Sequence, residues 1–279
     1  MMLSRVKLTG FKNLLRQYSS SSKELVSITK NDATGTSIIS MNRSPVNGLS
    51  LEMITALKKS FETVENDGSK GAILTSSLPT IFSGGIDIME LYKPDIKRAT
   101  DFWTTLQDTW STLYGLKIPI AAAINGASPA GGCLLAISCE YRVFVEGKHT
   151  IGLNETKLGI VAPKWFTDPC ILTIGYRQAE VALLKGELFP PEKALEIGLV
   201  DELATSKDDA IDKCQKYINS YAKIPAGARI KTKLDLRGEQ LQWLIKNREA
   251  DTQDFLYYIR QPKVQAGLEL YLQSLKKQK

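Results

Sequence analysis

The residue that most invites chemistry is a glutamate in apolar company. In the stretch IGLNETKLGIVAP, residues 151–163, Glu155 is bounded by Ile151, Leu153, Leu158, Ile160 and Val161. An anion next to apolar walls is disfavoured, which raises a carboxyl pKa. That costs stability and suits proton transfer. The stretch alone also allows a plainer reading, a surface turn with Glu155 pointing outward, as most carboxylates do.

Two glycine-bearing stretches could serve such a base. In FSGGIDIMEL, residues 82–91, Gly84 and Gly85 follow an apolar segment and precede Asp87, a candidate helix N-cap. Glycines there permit special dihedrals and close approach of a ligand to the backbone. In INGASPAGGCLLAISCEYRV, residues 124–143, strand, turn, Gly131-Gly132 and apolar helix follow one another. That order leaves unpaired N–H groups at a helix start, where a negative oxygen is welcome. It is neither GxGxxG nor a P-loop, since no Gly-Lys-Ser/Thr follows. Ordinary turns, with Leu134, Leu135 and Ile137 as core, explain each stretch separately. Together, backbone donors from two loops and one carboxylate base fit proton abstraction beside a thioester carbonyl, with an enolate oxygen to stabilise.

The elements that must position these groups read as α/β. LVSITK and GTSIISMN are β-branched runs separated by Asn31-Asp32 and Gly35, a hairpin-like pair. A helix capped by Ser50 carries Leu51, Ile54, Leu57, Phe61 and Val64 on one face and stops at Asn66-Asp67-Gly68. GAILTSS and IPIAAAIN are buried strands flanking the amphipathic DIKRATDFWTTLQDTWSTLYGL. Strands alternating with helices imply a largely parallel sheet. Beyond Asp208 the pattern is helical to the end, an appendage to one core.

Composition narrows the classes. The 279 residues are 43% hydrophobic and 24% charged, ordinary for a globular chain. No apolar run approaches the roughly 18–20 residues of a membrane helix. Cys133, Cys139, Cys170 and Cys214 form no CxxC pair and read as reduced thiols. A single histidine, His149, makes a His-based metal site or a Ser-His-Asp triad improbable; it follows Lys148 in a turn and is expected to be solvated. Residues 1–22 carry Arg5, Lys7, Lys12 and Arg16, interleaved apolar residues, a serine run and no acid. That is the composition of a mitochondrial transit peptide, or else of a basic tail. Setting its four cations aside takes the formal charge from +6 to +2, too little to argue for nucleic acid.

FSGGID, INGASPAGGC and GLNETKLGI, in this order and spacing, resemble the crotonase superfamily of enoyl-CoA hydratases and isomerases, and NRSPVNGLSLEM resembles its early strand-to-helix segment. The resemblance covers about residues 25–275 and lies closest to the isomerase branch. It implies a crotonase-like α/β spiral of ββα repeats over residues 23–205 and a helical C-terminal trimerisation region over 206–279. It implies backbone N–H groups of Ile86 and Gly131 as the oxyanion hole. Gly84, Gly85, Ile86, Asp87, Ile88, Gly131 and Asn154 would bind the acyl-CoA thioester, with Glu155 as catalytic acid and base. No metal or cofactor is implied, because CoA arrives with the substrate. The expected setting is β-oxidation of unsaturated fatty acids in the mitochondrial matrix, by a homotrimer that contacts no nucleic acid and inserts in no membrane.

Two departures bear on activity. Hydratases of the superfamily carry a second glutamate two residues after the Gly-Gly pair, where this chain has Leu134. Hydration needs an activated water held by two carboxylates, whereas isomerisation needs one base serving C2 and C4. Leu134 therefore favours isomerisation, and an apolar residue there is expected to keep water out and raise the Glu155 pKa. The turn SGG replaces the alanine of many relatives, which loosens the loop and keeps its amides. Trp165 and Phe166 are candidates for the acyl-channel wall. The apolar helical faces of QDFLYYIRQ and AGLELYLQSL suit either a subunit contact or the chain's own core. The alternatives are a hydratase and a catalytically inert acyl-CoA- or RNA-binding relative.

Overall fold

The structure is a computed structural model that describes residues 24–277. The transit-peptide expectation for residues 1–22 falls outside the described residues. Among those described, no helix is long and apolar enough to cross a membrane.

The hairpin-like pair forms as expected: β1 (Val26–Asn31) and β2 (Thr36–Met41) are antiparallel, with Ile28 opposite Ile39. Ser50 caps α1 (Leu51–Asn66), its hydroxyl accepting from Met53 N, and buries Met53, Ile54, Leu57, Phe61 and Val64. β3 (Gly71–Ser76), buried along its whole length, then pairs parallel to β2. A single 3₁₀ turn at Ile88–Glu90 precedes α2 (Ile96–Tyr114), which Asp95 caps. β4 (Ile120–Ile124), β5 (Ser128–Pro129), α3 (Gly131–Ser138), β6 (Tyr141–Val145) and β7 (Ile151–Gly152) follow. Another 3₁₀ turn, Glu155–Leu158, leads into α4 (Lys164–Ile174), α5 (Tyr176–Lys185), α6 (Pro191–Glu196) and β8 (Glu202–Ala204).

The large sheet has the order β1-β2-β3-β4-β6-β8, parallel after the first pair. Beside it runs a second, narrower ladder. β5 pairs parallel with β7, and single parallel bridges join Leu49 to Ile86 and Ile81 to Ala127. Successive turns of chain thus place a strand in the large sheet and a short extended piece in the narrow ladder. After the first three of them a helix follows, giving the expected ββα spiral. The connections out of the narrow ladder are where the glycine-bearing loops lie.

After β8 the chain is helical: α7 (Lys207–Asn219), α8 (Ala226–Ile259) and α9 (Pro262–Lys277). PAGARIKTKLDLRG and EQLQWLIKNREADTQDFLYYIRQ form most of the single long helix α8, because Gly238 in mid-helix has room around it and no proline interrupts. Residues 220–225 form the turn between α7 and α8, exposed from 222 onward. Phe255, Leu256, Ile259, Val264 and Leu268 join the main hydrophobic core, while Tyr257, Tyr258 and Leu270 of the same two segments stay exposed. His149 differs from expectation. It is half-buried, its ring 5.0 Å from that of Phe144, with Nε2 2.5 Å from Val145 O. The turn folds back on β6, and the ring packs on it instead of entering solvent.

Candidate active site

Two loops meet at the start of α3. Gly85 has φ +84°, a left-handed conformation that a side chain would strain, and its carbonyl accepts from Leu49 N. Ser83 Oγ accepts from Gly85 N and donates to Asn47 O, while Asn47 Nδ2 donates to Ser76 Oγ and to Phe82 O. This buried polar lattice fixes the FSGGID loop from beneath. On the other side Ala130, the residue before α3, has φ +49° and ψ −123°, a costly conformation for alanine. Its amide donates to Gly152 O, which ties the helix start to β7.

The loops are so close that only glycine fits between them. A Cβ on Gly132 would lie 2.4 Å from Ser83 O, and one on Gly131 would lie 3.3 Å from Ile86 N. Neither Ile86 N nor Gly131 N has a hydrogen-bond partner among the described residues. Two adjacent backbone donors from separate elements thus remain free, and the α3 N-terminus adds its dipole.

Glu155 opens its 3₁₀ turn just after β7 and is 3% exposed. Neither carboxyl oxygen has a hydrogen-bond partner. Burial pushes its pKa up to about 7, against a smaller lowering from the proximity of its own backbone amide. The outward-pointing reading of Glu155 is therefore excluded. Its neighbours Cys133 and Cys170 are buried thiols whose pKa values rise, that of Cys170 to about 12, so they add no charge.

Glu155 and Ile86 both line a cavity of about 420 Å³. Its other walls include Trp103 of α2, Phe166 of α4, and Trp243, Asp251 and Phe255 of α8. Among the other expected residues, Gly131 borders Ile86. Gly84 donates to Val46 O, and Ile88 begins the 3₁₀ turn. Asp87 caps that turn, accepting from Met89 N, and pairs with Arg43 at 2.7 Å. Asn154 precedes Glu155 and keeps a buried Oδ1 without a partner. Gly84, Gly85, Asp87, Ile88, Gly131 and Asn154 are not part of the cavity wall. Nor is Leu134, which is 1% exposed in the core on α3. Phe166 forms wall as expected, whereas Trp165 packs behind it, with ring centroids 4.6 Å apart.

A carboxyl without partners, two free amides and a largely apolar cavity are the parts an enolisation would need. The comparisons with known proteins agree with that chemistry. The family model for enoyl-CoA hydratase/isomerase matches residues 32–279. The chain belongs to the enoyl-CoA hydratase/isomerase family. It is similar to enoyl-CoA delta isomerase 1, mitochondrial, of Rattus norvegicus, 44% identical over 260 residues, 92% of this chain and 90% of the relative. The protein of that name from Homo sapiens is 40% identical over 88% of this chain and 82% of its own length. The crystal structure of human mitochondrial delta3-delta2-enoyl-CoA isomerase superposes with a TM-score of 0.89 at 39% identity, covering 91% of this chain and 99% of that one. An enoyl-CoA hydratase from Bacillus halodurans, at 24% identity and TM-score 0.78, shares the fold.

In this family member a helical C-terminal region closing the site is expected from the resemblance, and the individual residues of that wall are what sequence reasoning missed. Lys233, Gln240, Leu244, Asp251, Phe255 and Ile259 form the buried stripe of α8. Their helical spacing was present in the sequence, and Asp251 falls on it. An acid on a buried stripe is the signal that could have found that residue.

Proposed function

We propose that this protein is an enoyl-CoA isomerase that moves the cis or trans double bond of a 3-enoyl-CoA to the trans-2 position. The observation that carries this reading is Glu155, a single buried carboxyl with no hydrogen-bond partner and a pKa raised to about 7. A group balanced near neutrality accepts a proton and returns it with little penalty either way. Glu155 takes the proton from C2. The resulting dienolate oxygen is held by Ile86 N–H and Gly131 N–H, and the same carboxyl delivers the proton to C4. The double bond passes from C3–C4 to C2–C3.

The reaction is redox-neutral, and its acid, base and oxyanion donors all come from the chain, so it calls for no metal or separate cofactor. Leu134, apolar and buried where hydratases carry their second glutamate, supports isomerisation over hydration. The names of the similar proteins and the acid-free, cationic residues 1–22 support a mitochondrial setting, and we assign the reaction to the matrix. A homotrimer follows from the family resemblance and is read by light scattering of the purified protein.

The test mixes the protein with a 3-enoyl-CoA and, separately, with a trans-2-enoyl-CoA. Conversion of the first, little hydration of the second, and loss of conversion in Glu155→Gln are expected. Efficient hydration of the second substrate would overturn the reading.

A further inference from the structure

The cavity contains a second carboxylate that the proton transfer does not use. Asp251, on α8, is 9% exposed and belongs to the cavity wall. Its Oδ2 accepts three N–H donors: Trp103 Nε1 at 2.8 Å, Trp165 Nε1 at 3.1 Å and Gln107 Nε2 at 2.7 Å. These donors come from α2 and α4, so one oxygen atom joins three helices. The rings it holds are themselves packed together. Trp103 stacks on Phe255 with centroids 3.9 Å apart and planes 5° apart, and it meets Trp165 edge-on at 5.5 Å.

Asp251 does not belong to the proton-transfer group. Glu155 opens the turn after β7 and Asp251 comes from α8, so the two acids reach the one cavity from different elements. Oδ1 of Asp251 receives no hydrogen bond from the described residues, and Oδ2 is fully engaged, which leaves Oδ1 as the atom presented to the cavity.

The geometry points to Asp251 as the residue that limits acyl-chain length. It fixes Trp103 in the cavity wall and Trp165 behind Phe166, and it places a carboxylate oxygen where a longer alkyl chain would have to lie. An alkyl group pressed on that oxygen removes its water and supplies no donor, which is unfavourable. Short chains stop before it, so the penalty falls on long chains alone. This inference rests on the acyl group occupying the Glu155 cavity, as the isomerase reading has it.

Asp251→Asn is the informative variant. Its amide oxygen can still accept from the indoles, while the carboxylate is gone from the cavity. The ratio of kcat/KM for a long-chain over a short-chain 3-enoyl-CoA is expected to rise about tenfold, through KM, within the range that single pocket contacts give. Asp251→Leu removes both the acceptor and the carboxylate and strands two indole N–H groups. It is expected to lose thermal stability, which Asp251→Asn retains. Affinities of the same proteins for saturated short- and long-chain acyl-CoAs, followed by tryptophan fluorescence, read the ratio without turnover. Failure of the isomerase reading would therefore leave this measurement standing. An unchanged ratio in Asp251→Asn, or equal losses at every chain length, would overturn the proposal and leave Asp251 a purely structural tie.

Discussion

The Gly131 Cα and the Ile86 amide face each other so closely that an added methyl on Gly131 would stand 3.3 Å from the Ile86 nitrogen and 2.9 Å from Leu49 Cδ1. The gap between those two amides is where an enolate oxygen has to fit. Gly131→Ala is therefore expected to lower kcat by about a hundredfold, the usual cost of spoiling one oxyanion donor. The leucine methyl can move aside, so the thermal midpoint should fall only slightly. Steady-state kinetics beside a melting curve check the two effects, and an unaltered kcat would remove Gly131 from the hole.

Glu155→Gln keeps the shape of the side chain and abolishes its proton transfer. A loss of about 10³-fold or more in 3-enoyl-CoA conversion is expected, toward the upper part of the range for general acid–base groups. Residual conversion within tenfold of the original protein would mean that another group moves the proton.

The pH dependence has a definite sign. The free enzyme must have Glu155 ionised to accept the C2 proton, so kcat/KM should rise with pH and level off above about 7. With no second acid invoked, the profile should show one limb over neutral pH instead of a bell.

Stability should vary in the opposite sense. Folding raises the Glu155 pKa from an ordinary 4.5 to about 7, so the folded state holds a proton that the unfolded state has lost between those values. Stability is greatest below the unfolded pKa of 4.5 and declines as pH rises to about 7, with a cost on the order of 3 kcal/mol fully in force above it. Glu155→Gln should consequently melt several degrees higher than the original protein at pH 8, and at about the same temperature at pH 4.5. Equal shifts at both values would show that ionisation is not the cause.

A buried ion cluster offers a control away from the site. Glu140 accepts from Arg229 at 2.6 Å and from Lys233 at 2.7 Å, and burial lowers the Lys233 pKa to about 8. Glu140→Gln leaves two buried cations underpaired and should cost about 3–5 kcal/mol. Lys233→Met removes one of those cations while Arg229 still pairs Glu140, and it should cost far less. Chemical denaturation of the two variants gives the comparison directly.

The parts of this molecule governed by local pattern were readable from the chain. Ser50 and the apolar periodicity after it marked α1, and Gly131-Gly132 before an apolar run marked the donor-bearing start of α3. Glu155 was singled out by its apolar neighbours, but its burial depended on helices distant in sequence, with α5 and α9 packing on its turn and α2, α4 and α8 walling the cavity beside it, which no neighbouring residue reveals. The same holds for Asp251. Its acceptors' partners, Trp103, Gln107 and Trp165, lie far away in sequence and converge only after three helices pack. His149 went the other way because a turn of polar residues still folded its ring against Phe144. Leu134 lies buried in the core on α3, as its type implies, and the direction a helical residue faces depends on how that helix seats.

The base, the amides and the first walls of the cavity are all complete by Phe166, whereas Trp243 to Ile259 of α8 supply the remainder. Between these portions runs the turn at 220–225, exposed from 222 onward. A chain emerging from synthesis or threaded through a pore thus carries its reactive carboxyl well before it has anywhere to put an acyl group. Until α8 docks, the cavity beside Glu155 lacks every wall from Trp243 to Ile259. Maturation of the catalyst and completion of the fold are one event, and a single cut in that turn would leave two fragments, neither of which encloses a substrate.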